Sequence, residues 1–221
     1  MLLIDAGTSY IKLFDTELNK KDIYTFKDKH LYSHLVPSVV TGHNASMFKE
    51  AIKVSELVAL TNGVKATMNR NDFTVLDIGS RDMKLVSFTD GNFEKCDWNT
   101  SCGAMIGFTI ELMMKYFSKE PKDLPTTDKM LDITCGLLGI TKFFDGISKD
   151  ETIEENLSAL INGMANYSWH FAGKPNSLFL SGGLTENPIF IFHLKKLVKE
   201  LTPIGRFTLL DGLRARTVQE K

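Results

Sequence analysis

The residues Asp5-Ala-Gly-Thr-Ser9, followed by Lys12, form one chemically suggestive stretch. Gly7 at a hairpin tip would let backbone N–H groups come close to a phosphate. Thr8 and Ser9 add hydroxyl donors, and Lys12 adds a point charge. Asp5, at a strand end, suits Mg2+ held through water, because hard cations take oxygen ligands. A second stretch, Asp77-Ile-Gly-Ser-Arg-Asp-Met-Lys84, repeats the pattern with more charge. There, Asp77 or Asp82 could bind Mg2+ or orient an attacking water. Gly79, Ser80 and the local N–H groups suit terminal phosphates, and Arg81 suits charge that develops during transfer. Lys84 is counted with them. Each loop alone also reads as a plain polar turn, with Arg81 and Asp82 paired to each other. Two strand-Asp-x-Gly-strand loops in one chain point further, to ATP gripped between two lobes that contribute one loop each. The third stretch is Ser181-Gly-Gly-Leu-Thr-Glu-Asn187-Pro188. Gly182 and Gly183 offer a flat turn for an adenine or ribose, and Asn187 lies at the start of a helix whose N–H groups favour anions. Without the other loops it would be an ordinary strand-to-helix turn.

The elements that must hold these loops are readable in outline. Residues 2–14 are two apolar runs around a turn, a hairpin signal. Residues 73–79 and 83–88 repeat that pattern, the one internal repeat seen in the sequence. Ser46 is placed as the cap of a helix over 47–61, ended by Asn62-Gly63. A Met-rich helix is expected over 103–117, a polar loop over 119–127, and an apolar stretch over 129–144. A long helix follows over 151–171, closed by Gly173. A buried strand starts at Ser177, and a helix runs over 188–200 with Pro188 in its first turn. The tail, 206–221, reads as basic and polar.

The chain has 221 residues, enough for two small lobes with real cores. We place the first lobe at 1–72 and the second at 73–221. A formal net charge of -1 gives no general attraction to nucleic acid or acidic membranes. No apolar run reaches the roughly 18 residues that span a bilayer. The N-terminus lacks signal-peptide features, so the chain reads as cytoplasmic. Its three cysteines, Cys96, Cys102 and Cys135, are too few and too odd in number for a disulfide framework. Two cysteines so spaced are by themselves more often core residues than ligands. The histidines show no metal-ligand spacing.

The order Asp-Ala-Gly-Thr, Asp-Ile-Gly and Ser-Gly-Gly…Asn-Pro resembles the actin, hexokinase and heat-shock-protein ATPase superfold. This implies an α/β, two-lobed, actin-like (ribonuclease H-like) fold with mixed sheets flanked by helices. Within it, the chain is similar to the BadF/BadG/BcrA/BcrD ATPase family, the activators of 2-hydroxyacyl-CoA dehydratases and benzoyl-CoA reductases. Further matching stretches are Ser55-Glu-Leu-Val-Ala-Leu-Thr-Asn-Gly63, Asn99-Thr-Ser-Cys-Gly-Ala-Met-Ile-Gly107 and Asp132-Ile-Thr-Cys135. The resemblance implies ATP and Mg2+ as cofactors. It also implies one [4Fe–4S] cluster shared across a homodimer, with Cys102 and Cys135 as each chain's ligands. Cys102 would precede a helix whose dipole stabilises the cluster's charge. Cys96 matches nothing in the family and reads as structural. The implied partner is an iron–sulfur dehydratase or reductase that receives an electron, with no nucleic acid or membrane involved.

Several positions depart from the family. Leu60 stands in place of a histidine, Ser80 of a glycine and Arg81 of a glutamine. Met105-Ile106 stands where the family has Gly-Thr, and bulky side chains there would be expected to block the approach of backbone to nucleotide. Gly136 to Lys142 lacks the acidic residues that follow the family's second cysteine. Two other readings therefore stand beside the activator. One is a small-molecule kinase of the same superfold, similar to pantothenate or sugar kinases, with Asp77 or Asp82 as base. The other is a divergent, non-catalytic nucleotide-binding or scaffold paralogue.

Overall fold

The computed structural model describes residues 1–100, 105–149 and 151–219. Its strands are β1 (Leu2–Ala6), β2 (Tyr10–Asp15), β3 (Lys20–Thr25), β4 (Val39–Thr41), β5 (Ile52–Lys53), β6 (Phe73–Ile78), β7 (Met83–Thr89), β8 (Asn92–Asn99), β9 (Ser177–Gly182) and β10 (Glu200–Gly205). Its α-helices are α1 (Lys29–Tyr32), α2 (Glu56–Met68), α3 (Ile106–Tyr116), α4 (Gly136–Ile147), α5 (Ile153–Phe171), α6 (Pro188–Leu197) and α7 (Thr208–Gln219).

The strands form two five-stranded sheets, ordered β3-β2-β1-β4-β5 and β8-β7-β6-β9-β10. The two orders are the same. In the first, β1 pairs antiparallel with β2 and parallel with β4. In the second, β6 pairs parallel with β9, which pairs parallel with β10. The hairpin repeat expected from the sequence is thus part of a repeat of a whole sheet. Central strands of such sheets are covered on both faces, so they read as continuous apolar runs rather than as alternation. β1 and β6 do so, and Leu3, Ile4, Val75, Leu76 and Ile78 are all buried.

The chain divides into two compact units, 1–72 with 86–96 and 206–221, and 73–85 with 97–205. The tail, which we had placed in the second lobe, belongs to the first unit. It is also a helix rather than a polar strand of chain. Leu209, Leu210 and Leu213 are buried, and this apolar stripe outweighs the basic residues that follow it, Arg214 and Arg216. α7 packs on α2 through glycines. A Cβ on Gly212 would collide with the carbonyl of Ala59, and one on Gly63 with the carbonyl of Thr208. That contact explains an error of the sequence reading. Gly63 does not stop a helix at 61; it lies inside α2, where only a residue without a side chain lets the two backbones meet. The helix begins after Ser55 and ends at Asn69, which has φ 48°. Residues 45–47 form only a short 3-10 turn.

The second unit follows the sequence more closely. Thr152 caps α5, accepting from Glu155 N at 3.3 Å, and Glu154 and Glu155 complement the helix dipole. Ile110, Met113 and Met114 of α3, Leu157, Leu160 and Met164 of α5, and Phe190 and Leu194 of α6 share one core. His193 of α6 is fully buried there, with Nε2 3.2 Å from Ser158 Oγ. Burial pushes its pKa down to about 4, the charge of Lys196 adding to the effect and that of Asp128 opposing it.

The unfolded chain therefore takes up a proton near pH 6.5 that the folded chain refuses until about pH 4. Stability should fall as pH drops through that window, and His193→Gln should flatten the profile, as read by urea unfolding from pH 7 to 4.5. Gly212→Val should overpack the α2–α7 contact and destabilise by about 1–3 kcal/mol, measured at constant pH.

Candidate functional site

Each unit contains a station built to the same plan around a strand-end aspartate. In the first unit, Asp5 is 3% exposed near the end of β1. It lies opposite Lys12 on β2 and opposite Thr41 on β4. Residues that are laterally paired in a sheet present their side chains to the same face, so Lys12, Asp5 and Thr41 make one row across three strands. Lys12 Nζ donates to Asp5 Oδ2 at 2.8 Å. Thr41 is fully buried, and its Oγ1 has no partner among the described residues. In the second unit, Asp77 is 5% exposed near the end of β6 and lies opposite Ser181 on β9. Ser181 Oγ donates to Asp77 Oδ1 at 2.6 Å, and Lys84 Nζ lies 3.8 Å from Asp77 Oδ2.

The backbone follows the same plan. Gly42 follows Thr41 with φ 97°, and Gly182 follows Ser181 with φ 95°. Side chains are strained at such angles. Moreover, a Cβ on Gly42 would lie 2.5 Å from Ala6 O, and one on Gly182 would collide with Ile78 O. Each glycine thus lets the fourth strand of its set close against the residue after the aspartate. Asn44 completes the first loop, donating from Nδ2 to Gly7 O at 2.8 Å. Thr41 and Gly42 were not among the residues selected from the sequence. The signal was present as a hydroxyl residue followed by glycine at two strand ends, Thr41-Gly42 and Ser181-Gly182.

The stations differ in one respect. In the second, Lys84 makes its short contact to an additional acid, Asp82 Oδ1, at 2.6 Å. Trp98 Nε1 donates to Asp82 Oδ2 at 3.0 Å, and the Lys84 ammonium lies 5.4 Å from the Trp98 ring centroid. Gly79 N donates to Asp82 O at 3.0 Å, closing the turn. Ser80 is half-buried and Arg81 is exposed. The start of α3 rests on this turn, Phe108 N donating to Ser80 O at 3.1 Å. A Cβ on Gly107 would lie 2.5 Å from Gly79 O. Ile106 turns into the core and Gly107 makes the close approach to this turn. Leu60 is likewise a core residue of α2.

In the third stretch, Gly182 and Gly183 lead from β9 into a 3-10 turn over Gly183–Glu186. Asn187 spends its Oδ1 on capping α6, accepting from Ile189 N at 3.1 Å and Phe190 N at 3.0 Å. The turn borders a hollow of about 430 Å3 whose lining includes Thr185, Glu186, Pro188 and Phe192.

Of the two expected cluster ligands, Cys102 lies outside the described residues. Cys135 is 7% exposed and caps α4, its Sγ accepting from Leu138 N at 3.3 Å. A helix N-terminus favours a thiolate, so this position suits a cluster ligand. Among the described residues, no group of three or more His, Cys, Asp or Glu forms a metal site within one chain. A cluster fed by two cysteines per chain would require none. Cys96 is exposed on β8 rather than part of a core. Among the described residues, no helix is long and apolar enough to cross a membrane.

Neither family models nor curated proteins match the sequence. Solved structures do match the fold. The activator of 2-hydroxyisocaproyl-CoA dehydratase from Clostridium difficile, with bound ADPNP, superposes with a TM-score of 0.77 at 16% identity, covering 100% of this chain and 97% of that one. The (R)-2-hydroxyglutaryl-CoA dehydratase component A from Acidaminococcus fermentans gives 0.78 at 18% identity, covering 100% and 99%. The fold is that of the dehydratase activators. The ethanolamine utilization protein EutJ from Carboxydothermus hydrogenoformans is a more distant match, with a TM-score of 0.57 at 12% identity over 97% and 88% of the chains. All share the actin-like arrangement of two mixed sheets flanked by helices.

Lys84 is 2% exposed between two carboxylates, so removing its charge strands both. Lys84→Met should destabilise the protein by about 3–5 kcal/mol in urea unfolding, and Lys12→Met, at a more exposed position, by less.

Proposed function

We propose that the chain is an ATP-binding activator that couples ATP binding and hydrolysis to low-potential electron transfer into an iron–sulfur acyl-CoA dehydratase or reductase. The observation that carries this reading is the pair of matched stations, Lys12–Asp5–Thr41 and Lys84–Asp77–Ser181, in a fold shared with an ADPNP-bound dehydratase activator. Asp5 and Asp77 supply buried, oriented oxygens of the kind that holds the waters of Mg2+. Gly7, Thr8 and Ser9 cradle one part of the triphosphate, with Lys12 balancing its charge. Gly79, Ser80 and Arg81 receive the terminal phosphates. Gly182, Gly183 and the helix start capped by Asn187 take the adenosine side. In hydrolysis, a water oxygen bonds to the γ-phosphorus, the bond to the bridging oxygen of ADP breaks, and the water's proton passes to the released phosphate. Asp82, fixed by Lys84, orients that water.

A kinase reading requires a carboxylate as base and a place for the acceptor hydroxyl beside it. The sequence offers no separate acceptor-binding motif, which favours water as the nucleophile.

Cys102 and Cys135 would hold the [4Fe–4S] cluster, two thiolates coming from each chain of a cytoplasmic homodimer. When bound, the cluster supplies a one-electron donor of low potential. Cys135 stands at the start of α4, where a helix N-terminus favours the negative charge of a bound cluster.

Calorimetry with Mg·ATP should give micromolar binding, and the absence of heat would remove the central claim. Anaerobic reconstitution should give a brown dimer with about four irons; Cys102→Ser should lose that iron while leaving nucleotide binding intact. A colourless wild-type protein would sink the cluster assignment alone.

A further inference from the structure

Trp98 is 40% exposed, whereas the carboxylate it binds belongs to a residue only 6% exposed. An exposed indole N–H is ordinarily satisfied by water. Here it donates to Asp82 Oδ2 at 3.0 Å, and the ring stands over the Lys84 ammonium. Lys84 Nζ donates to Oδ1 at 2.6 Å. Among the described residues, the donor to the other oxygen is the half-exposed indole. A water or a phosphate-bound ligand that engages Oδ2 shares that oxygen with the indole or displaces it. Trp98 has no counterpart in the first station, where Lys12 binds Asp5 directly.

We propose that Trp98 is a positioning residue for the second station. Its indole holds Asp82 Oδ2 and yields that oxygen to the attacking water when Mg·ATP binds. This rests on the ATP-binding reading. Because the side chain is largely outside the core, it can be changed without emptying a packed position.

The test uses the full-length chain in a Trp169→Phe background, which leaves Trp98 as the sole indole of the protein's two tryptophans. Its Nε1–H resonance, followed by 15N-labelled NMR, should move when Mg·ATP is added at concentrations where calorimetry shows binding. Trp98→Phe keeps a ring over Lys84 and removes the N–H. It should lower kcat for ATP hydrolysis on the order of tenfold with the calorimetric affinity for Mg·ATP held within about twofold. Trp98→His, which can restore a donor, should recover part of the loss. Calorimetric binding with an unmoved indole resonance overturns the proposal, as does an unchanged kcat in Trp98→Phe or a parallel loss of affinity. An absence of any binding heat in the parent protein overturns the ATP reading and this inference with it. Where the parent binds but does not hydrolyse, the resonance alone decides.

Discussion

A carboxylate buried at the end of a strand is costly without a partner, and much of this structure follows from how that requirement is met twice. Asp5 and Asp77 each sit at the closed end of a central strand, with a lysine from the returning hairpin strand beside them. The pairing forces the hairpin, because the lysine must come back across the turn to reach the acid. It also fixes register. A slip of one residue would send Lys12 to the opposite face of the sheet and leave Asp5 buried alone. The hydroxyls of Thr41 and Ser181 take the third position in each row, and the glycines that follow allow the fourth strand to close up. A charged pair inside a protein contributes little net stability once desolvation is counted.

The second station departs from symmetry where the chemistry would occur. Asp82 draws Lys84 away from Asp77, and Ser181 compensates by donating to the oxygen nearest it. One acid is thereby held by a cation and an indole, and the other by a neutral hydroxyl and a more distant cation. Two carboxylates in unlike surroundings can divide two tasks, metal-water binding and water orientation, without competing for one lysine.

Much of this was legible in the sequence because the two Asp-x-Gly hairpins are local. A strand, an Asp-x-Gly turn and a returning strand lie within a dozen or so residues, and both hairpins emerged as expected. Reading α2 correctly needed information from far along the chain, since Gly63 looks like a helix stop until Thr208 is brought against it. The tail was misread for the same reason, its leucines revealing their purpose only against α2. Thr41 escaped notice because β4 is a strand of three residues, too short to show a period. Trp98 escaped because nothing in the spacing of residues links it to Asp82; β8 and the turn after β6 meet only once the sheet has formed.

The glycine contact between α2 and α7 has a consequence for how the chain is made. The first unit is assembled from segments far apart in the chain, whereas the second is complete once residue 205 has been synthesised. On a ribosome, the hairpin of β1 and β2 emerges before the second unit and is completed after it. Until α7 arrives, the face of α2 around Ala59 and Gly63 has nothing to cover it. The unit bearing the Lys12–Asp5–Thr41 row is therefore the one that a chaperone would be expected to guard, and the one that a nascent chain stalled before residue 208 would leave open.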